Sequence, residues 1–446
     1  MSDTRKIIVV GAGPSGLAAA YRLMRAGVSV TVCEAREWVG GRTRTERVDG
    51  FQIDTGAQLY ASMYTDTRAL LDTLGERDRL VRSPGLDALW REGRSREVAF
   101  GSVASMVTSS ALGLRLKMRL GTTYLPFLAR HAKSLELHRP ERAAKAGLDD
   151  ESIEEWGRRE MGEEFLDALV YPQLATYYGA LPEETSAGFY HQLAHYGTDV
   201  RLFAMRGGAG ALCEVLAERV LAGGGEVRLG TPVTSVSRPR SGAVVAGAGW
   251  EEECDGVVLA VPAPRASELM PRDDDPLQSW LSQVRFRPSL SIALLLDRPV
   301  GVEFFGLSFA RGEGSVLEAL CVQENKGPGL VPEGKGLLVG FVRPERVDSL
   351  LDADGPDVLE AIRPDLDRTF PGRAAHIERV RIYRWREGIP VFYPGFLARL
   401  GSFRSGAVEK DGVVALAGDY LVSPTMEGAV SAGLAAAERI LSRLTI

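Results

Sequence analysis

Lys6-Ile7-Ile8-Val9-Val10-Gly11-Ala12-Gly13-Pro14-Ser15-Gly16, running on into LAAAYRLMRAG at 17–27, is the stretch from which the rest of the chain is read. Residues 6–10 are apolar and mostly β-branched, the pattern of a parallel strand buried on both faces. Residues 17–26 have helical composition, and Gly27 stops them. Between strand and helix stands G-x-G-x-x-G. Gly11 permits the tight turn, Gly13 lets a pyrophosphate reach the backbone, and Gly16 lets the helix pack on the strand. The helix opens on Pro14 and Ser15, and its N-terminus offers free N–H groups and partial positive charge to phosphates.

The second strand, Ser29–Cys33, ends at Glu34, 18 residues beyond Gly16. An acid at that place accepts hydrogen bonds from the adenosine ribose hydroxyls and repels a 2′-phosphate, which disfavours NADP. Ala35-Arg36 and then Val39-Gly40-Gly41-Arg42-Thr43-Arg44 come soon after, a second loop able to approach the pyrophosphate. Arg42 would add charge-assisted hydrogen bonds there. Next comes a strand, Phe51-Gln52-Ile53-Asp54, ending in the small-residue loop Thr55-Gly56-Ala57-Gln58-Leu59-Tyr60. At the far end, Val413 to Ala417 is apolar and β-rich and leads into Gly418-Asp419-Tyr420. Ser423 reads as an N-cap with Pro424 at the first helical position, before a helix rich in small residues from Met426 to Glu438.

GAGPSGLAAAYRL, E-A-R followed by G-G-R, D-T-G-A, and the terminal G-D and M-E-G-A-V together resemble the flavin amine oxidase superfamily. That group includes protoporphyrinogen oxidases and phytoene-desaturase-like enzymes. The resemblance implies an α/β fold: a Rossmann-type, glutathione-reductase-like FAD domain with an inserted α+β substrate domain. The FAD domain is expected to be discontinuous, over 1–75, 205–270 and 405–446. The inserted parts are 76–204, expected to be mainly helical, and 271–404, expected to contain a sheet. The cofactor implied is non-covalent FAD. Its expected contacts are Gly11, Gly13, Pro14, Ser15, Gly16, Glu34, Ala35, Arg36, Gly41 and Arg42, then Gly56, Ala57, Gln58 and Leu59. Val233 is expected to bracket the adenine, Gly418 and Asp419 to hold the ribityl chain, and Met426, Glu427, Gly428 and Ala429 to complete the site. Backbone N–H groups at Glu427 to Ala429 would face the pyrimidine side of the flavin, where negative charge gathers on reduction.

Composition narrows the alternatives. A net charge of −6 over 446 residues argues against general nucleic-acid binding, which needs a basic face. Cys33, Cys213, Cys254 and Cys321 lie far apart without a C-x-x-C pair, so neither a metal nor a redox spacing is present. A cytoplasmic protein with reduced thiols is expected, with no secretory signal and no metal. No uninterrupted apolar run reaches membrane-spanning length.

Gly101 to Gly147 departs from the rest of the chain: eight Lys/Arg stand against two acids, interleaved with apolar residues. A basic, apolar helical segment at 101–147 fits either an ordinary pair of cap helices with a solvated basic face or reversible peripheral membrane contact. Tyr60, Tyr178, Trp385 and Tyr393 are candidates for lining the substrate face. Amine-oxidising members keep a lysine near the flavin, but neither Lys326 nor Lys335 sits in a matching context. No side-chain acid or base is assigned, since hydride transfer to a flavin does not require one. The expected activity is hydride transfer from a lipophilic isoprenoid-like or tetrapyrrole-like substrate, a C–C or C–N desaturation. The alternatives are a flavin amine oxidase that makes an imine and hydrogen peroxide, and a non-redox flavin isomerase.

Overall fold

Five parallel strands build the sheet that the N-terminal motif begins. Their spatial order is Glu226–Arg228, Ser29–Cys33, Lys6–Val10, Gly256–Leu259 and Val414–Leu416. The computed structural model describes residues 5–444 apart from 84–86, 100–101, 240–241, 272–275 and 408–412. Ile7, Ile8 and Val9 are wholly buried, each worth roughly 1.5–3 kcal/mol of apolar transfer. Val10 pairs with Cys33 and with Leu259, so three strands end together on one edge. In an open parallel sheet that carboxyl edge is where ligands bind.

Two helices lie on this sheet and cross each other, Pro14–Arg25 and Met426–Leu444. Glycine is required at the crossing: a Cβ on Gly433 would stand 2.1 Å from the carbonyl oxygen of Ser15. The small residues of the last helix therefore serve helix packing, and Ala435 turns out to be exposed.

A second sheet has seven strands in the order Ile377–Pro390, Phe286–Leu296, Gly336–Val342, Leu317–Val322, Gly306–Phe309, Asp87–Arg91 and Arg94–Val98. All neighbours are antiparallel except Gly306–Phe309 against Asp87–Arg91. The last two strands lie within 76–204 and add a hairpin to its helices. The turn residues of this hairpin, Glu92 and Gly93, have φ of 55° and 73°, the double positive φ of a type I′ turn. From Val103 onward that segment is helical to Gly197.

The second sheet is irregular beside the nucleotide end of the molecule. Its long strands Phe286–Leu296 and Ile377–Pro390 shift register between Arg287 and Ser289, opposite Ile389 and Trp385. Gly388 sits in this bulge, where a Cβ would meet Ser289 at 2.8 Å.

Candidate active site

Gly11 takes a φ of 103°, and a Cβ there would press on the carbonyl oxygen of Ala260 at 2.7 Å. Gly16 is tighter still, at 1.9 Å from the carbonyl oxygen of Gly11. Gly13 is the opposite case: an added Cβ would meet nothing within 4 Å. Two glycines are thus demanded by the fold and one is demanded by open space. That space belongs to a continuous chamber of about 890 Å³, which runs from the glycine loop to the helical part of the chain. Gly11, Gly13, Pro14 and Ser15 line it, whereas Gly16 lies behind them against the strand.

Glu34, at the end of the second strand, lines the chamber with its carboxylate oriented by two backbone donors, Ala12 N at 2.8 Å and Arg36 N at 3.0 Å. Ala35 and Arg36 continue the wall, as do Gly41 and the loop Gly56-Ala57-Gln58-Leu59. Arg42 also borders the chamber, but its guanidinium forms a two-pronged ion pair with Asp419 at 2.8 and 2.9 Å and donates to the Gly388 carbonyl at 2.8 Å. In this arrangement Arg42 and Asp419 hold the second loop, the terminal loop and the sheet bulge together. Both residues still line the chamber where the phosphate and ribityl contacts are expected. Gly418 lines the chamber beside them.

The last helix starts at Met426, and its cap is Thr425, whose Oγ1 accepts from Gly428 N at 3.0 Å. This replaces the expected Ser423 cap. Met426 and Ala429 face the chamber. Gly428 does not: a Cβ on it would strike the Ser423 carbonyl oxygen at 2.0 Å, so this glycine serves the turn.

Glu427 also points away from the chamber. Its buried carboxylate accepts from Asp66 N at 2.8 Å, Thr67 N at 2.9 Å, Thr67 Oγ1 at 2.7 Å and Thr65 Oγ1 at 3.1 Å. Across some 360 residues of chain it caps the helix Thr65–Leu74, where an anion meets the positive helix end. His138 Nε2 reaches the same carboxylate at 3.1 Å and ties in the end of the basic segment.

Burial opposes the Glu427 charge, but the bonds from His138 and Thr67 prevail and its pKa is lowered. The bond to Glu427 raises that of His138. The histidine contribution to stability is then complete below its ordinary value of about 6.5 and is lost as pH climbs through the raised one. The Glu427 contribution is present above about 4.3 and is lost as pH falls through the lowered value. His138→Ala is therefore expected to lower the melting temperature clearly at pH 6 and much less at pH 9. An equal loss at both pH values in thermal melts would contradict this pairing.

Of the four candidate substrate residues, Tyr178 alone opens on the part of the chamber facing the helices. It stands edge-on to Tyr177 and Phe189, at ring separations of 6.4 and 6.0 Å. Trp385 borders the chamber on the nucleotide side, with Arg36 4.7 Å above its ring and its indole N–H donating to the Thr55 carbonyl. Tyr60 is a core residue that is 1% exposed, its hydroxyl donating to the Ala209 carbonyl at 2.7 Å. Tyr393 donates to the Gln283 carbonyl beneath Arg285 and lies outside the chamber. Val233 is buried behind Arg265, which donates to its carbonyl and itself lines the chamber. Lys326 is enclosed by Asp54, Gln58 and Gln323, and Lys335 pairs with Glu378 on the surface.

Several wall residues were not anticipated. Met63 and Tyr64 border the chamber next to the helix that Glu427 caps, and Arg82 and Arg201 border it as exposed cations. Asp87 and Glu318 line it where it meets the seven-stranded sheet. Burial pushes the Asp87 carboxyl up to about 7, against the bonds from Tyr177 and the Gly306 backbone. Burial, with Glu345 adding to it and Arg343 opposing, holds Glu318 well above the usual carboxylate range. Each of these acids stands alone in a largely apolar strand, D-A-L-W and L-E-A-L-C-V, and that was a readable sign.

The residues present suit FAD. An open cradle at Gly13 beside a helix N-terminus accepts a pyrophosphate, and a fixed carboxylate at Glu34 stands where a ribose would lie. The chamber continues well past a nucleotide-sized space. Comparison with known proteins agrees. The family model described as flavin containing amine oxidoreductase matches residues 14–441. A coproporphyrinogen III oxidase from Bacillus subtilis (strain 168) is 23% identical over 467 aligned positions, covering 96% of this chain and 95% of that protein. Among solved structures, cyclohexylamine oxidase from Brevibacterium oxydans IH-35A superposes with a TM-score of 0.78 at 22% identity, over all of both chains. A candidate protoporphyrinogen oxidase from Exiguobacterium sp. 255-15 does so with the same score, identity and coverage.

Proposed function

Because this chain belongs to the flavin-containing amine oxidoreductase family and is an FAD-dependent oxidoreductase, we propose that its substrate is a porphyrinogen, a reduced cyclic tetrapyrrole carrying carboxylate side chains. The observation that carries this reading is the chamber itself, a large room with mostly apolar walls whose exposed lining includes Arg82 and Arg201. Arg82 pairs opposite Phe203 on the neighbouring strand, and Arg201 lies two residues before that partner. Neither guanidinium has an ion-pair partner among the described residues. Arginines of this kind bind carboxylates through paired hydrogen bonds. A pure hydrocarbon would make no use of them, which favours a tetrapyrrole over an isoprenoid. The full-length relative named a coproporphyrinogen III oxidase supports the same choice.

FAD, when bound, supplies the hydride acceptor. The chain supplies position. Leu120, Leu125, Leu128 and Tyr178 give an apolar wall that excludes water from the macrocycle, while Arg82 and Arg201 fix its orientation. Arg42 and Asp419 keep the loops around the cofactor in register with that wall. In an aerobic assay with FAD, the purified protein should convert coproporphyrinogen III to fluorescent porphyrin well above the rate of autoxidation. Peroxide release with putrescine or cyclohexylamine, and none with the porphyrinogen, would replace this reading with amine oxidation.

Delivery of the substrate belongs to the same proposal. Leu114, Met118 and Val107 are 72%, 56% and 57% exposed; Leu114 and Met118 share one short helix with Arg115, Lys117 and Arg119, and Val107 lies on the helix before it. Val107 and Lys117 also border the chamber. This basic, apolar face fits the surface of an anionic bilayer, from which an apolar substrate would enter. No helix among the described residues is long and apolar enough to cross a membrane. The protein should sediment with phosphatidylserine vesicles at low salt, and Leu114→Glu/Met118→Glu should stay in the supernatant. Wild-type protein that remains in the supernatant would rule out delivery from a membrane.

A further inference from the structure

Where the chamber meets the seven-stranded sheet, two carboxyl groups are buried with hydrogen-bonding capacity to spare. Asp87 is 6% exposed, and its one side-chain donor among the described residues is the Tyr177 hydroxyl, at a long 3.4 Å. Glu318 is 4% exposed, and its Oε2 has no hydrogen-bond partner among the described residues. The sheet brings them to one region. Asp87 lies opposite Gly306, and Gly306 lies opposite Cys321, three residues along the strand from Glu318. Gly306 leaves room for the Asp87 carboxyl, since a Cβ there would stand 2.7 Å from Oδ1. Tyr177 roofs this corner, and 40% of its surface is open, with the ring bordering the chamber.

A buried carboxyl without a partner is costly, and a fold keeps it where something else completes the bond. We propose that Asp87 and Glu318 form a nitrogen subsite, accepting hydrogen bonds from N–H groups of the bound substrate. The donor is a pyrrole N–H in a porphyrinogen or an ammonium in an amine, and the subsite rests on the reading of this chamber as the substrate room. Around it, Arg343 and Glu345 act on Glu318, while Tyr177 and the Gly306 backbone act on Asp87. Burial disfavours the ionised carboxyls, and a donor placed against them reverses that preference.

The test uses FAD-loaded protein reduced with dithionite under anaerobic conditions, so that no ligand is turned over. Coproporphyrinogen III and cyclohexylamine are each titrated against wild type, Asp87→Asn/Glu318→Gln and Glu318→Leu, with affinity and melting temperature both measured. The double variant should bind its ligand about ten-fold or more weakly, the size expected for hydrogen bonds to charged groups. Glu318→Leu should weaken binding while melting at or above the wild-type temperature, which a structural role would not produce. Weakening seen with the porphyrinogen supports both the subsite and the proposed substrate. Weakening seen with the amine alone supports the subsite and overturns the porphyrinogen. Unchanged affinity for both ligands overturns the subsite and leaves the substrate assignment standing, and failure of wild type to bind either overturns both.

Discussion

Lys326→Met is expected to lower the unfolding free energy by about 3–5 kcal/mol, the cost of leaving one partner of a buried ion pair behind. Lys326 and Asp54 are each 1% exposed and stand 2.5 Å apart. Asp54 also accepts from Thr45 Oγ1 and from Ala209 N, while Lys326 donates to Gln58 Oε1 and Gln323 Oε1. The pair therefore fastens four pieces of chain: the strands on either side of 50, the loop at 209, and the turn after Val322. Removing the ammonium leaves an anion enclosed with too few donors. Asp54→Asn/Lys326→Met removes both charges and should recover a good part of the loss, because the desolvation cost goes with the attraction. Urea unfolding of the single and double variants decides the point. A single variant as stable as wild type would mean that the charges are hydrated, contrary to the structure. Gln58 lines the chamber, so Lys326→Met should also weaken the cofactor site, and the lysine acts there as a positioning residue.

Gly13→Val is the second large effect, and it falls on a different quantity. A Cβ on Gly13 meets no atom of the protein within 4 Å, so the variant should fold and melt as the wild type does. The added side chain occupies the space a pyrophosphate needs beside the helix N-terminus. FAD affinity should fall by about a hundred-fold or more, close to 3 kcal/mol and comparable to losing a charge-assisted hydrogen bond. Gly16→Val serves as the contrast, because its Cβ collides with the Gly11 carbonyl at 1.9 Å and should cost both folding and cofactor. Calorimetric titration with FAD, alongside thermal melts, separates the two. Undiminished FAD binding by Gly13→Val would move the phosphate site elsewhere.

How much of this was legible depended on how local each cause was. The glycine loop could be read because one strand, one turn and one helix start contain all of its physics, and the same holds for Glu34 at a strand end. The partners of the Glu427 side chain could not be read. Its motif marked the right helix, but its carboxylate is claimed by Asp66 and Thr67, which no nearby sequence reveals. Arg42 and Asp419 were both placed at the cofactor, yet their attraction for each other joins opposite ends of the chain. Tyr60, Tyr177 and Tyr178 are alike in type, and burial alone assigns the first to the core and the others to the chamber. Trp385 lies on the nucleotide side, at the register shift near Gly388, which no local pattern reveals. The hairpin at 87–98 escaped because its second strand, Arg-Ser-Arg-Glu-Val, is mostly exposed and shows no apolar alternation. Asp87 and Glu318 were visible as solitary acids in apolar strands, but their meeting depends on the order of those strands in the sheet.

If cofactor and substrate share one room, the flavin must report directly on the substrate. The deciding measurement is anaerobic mixing of the FAD-loaded protein with coproporphyrinogen III, followed at the flavin absorption band. Bleaching of the band within one turnover, absent in an equivalent mixture with cyclohexylamine, is the predicted result. A flavin that stays oxidised with the porphyrinogen, in protein shown to bind it, would contradict the shared chamber.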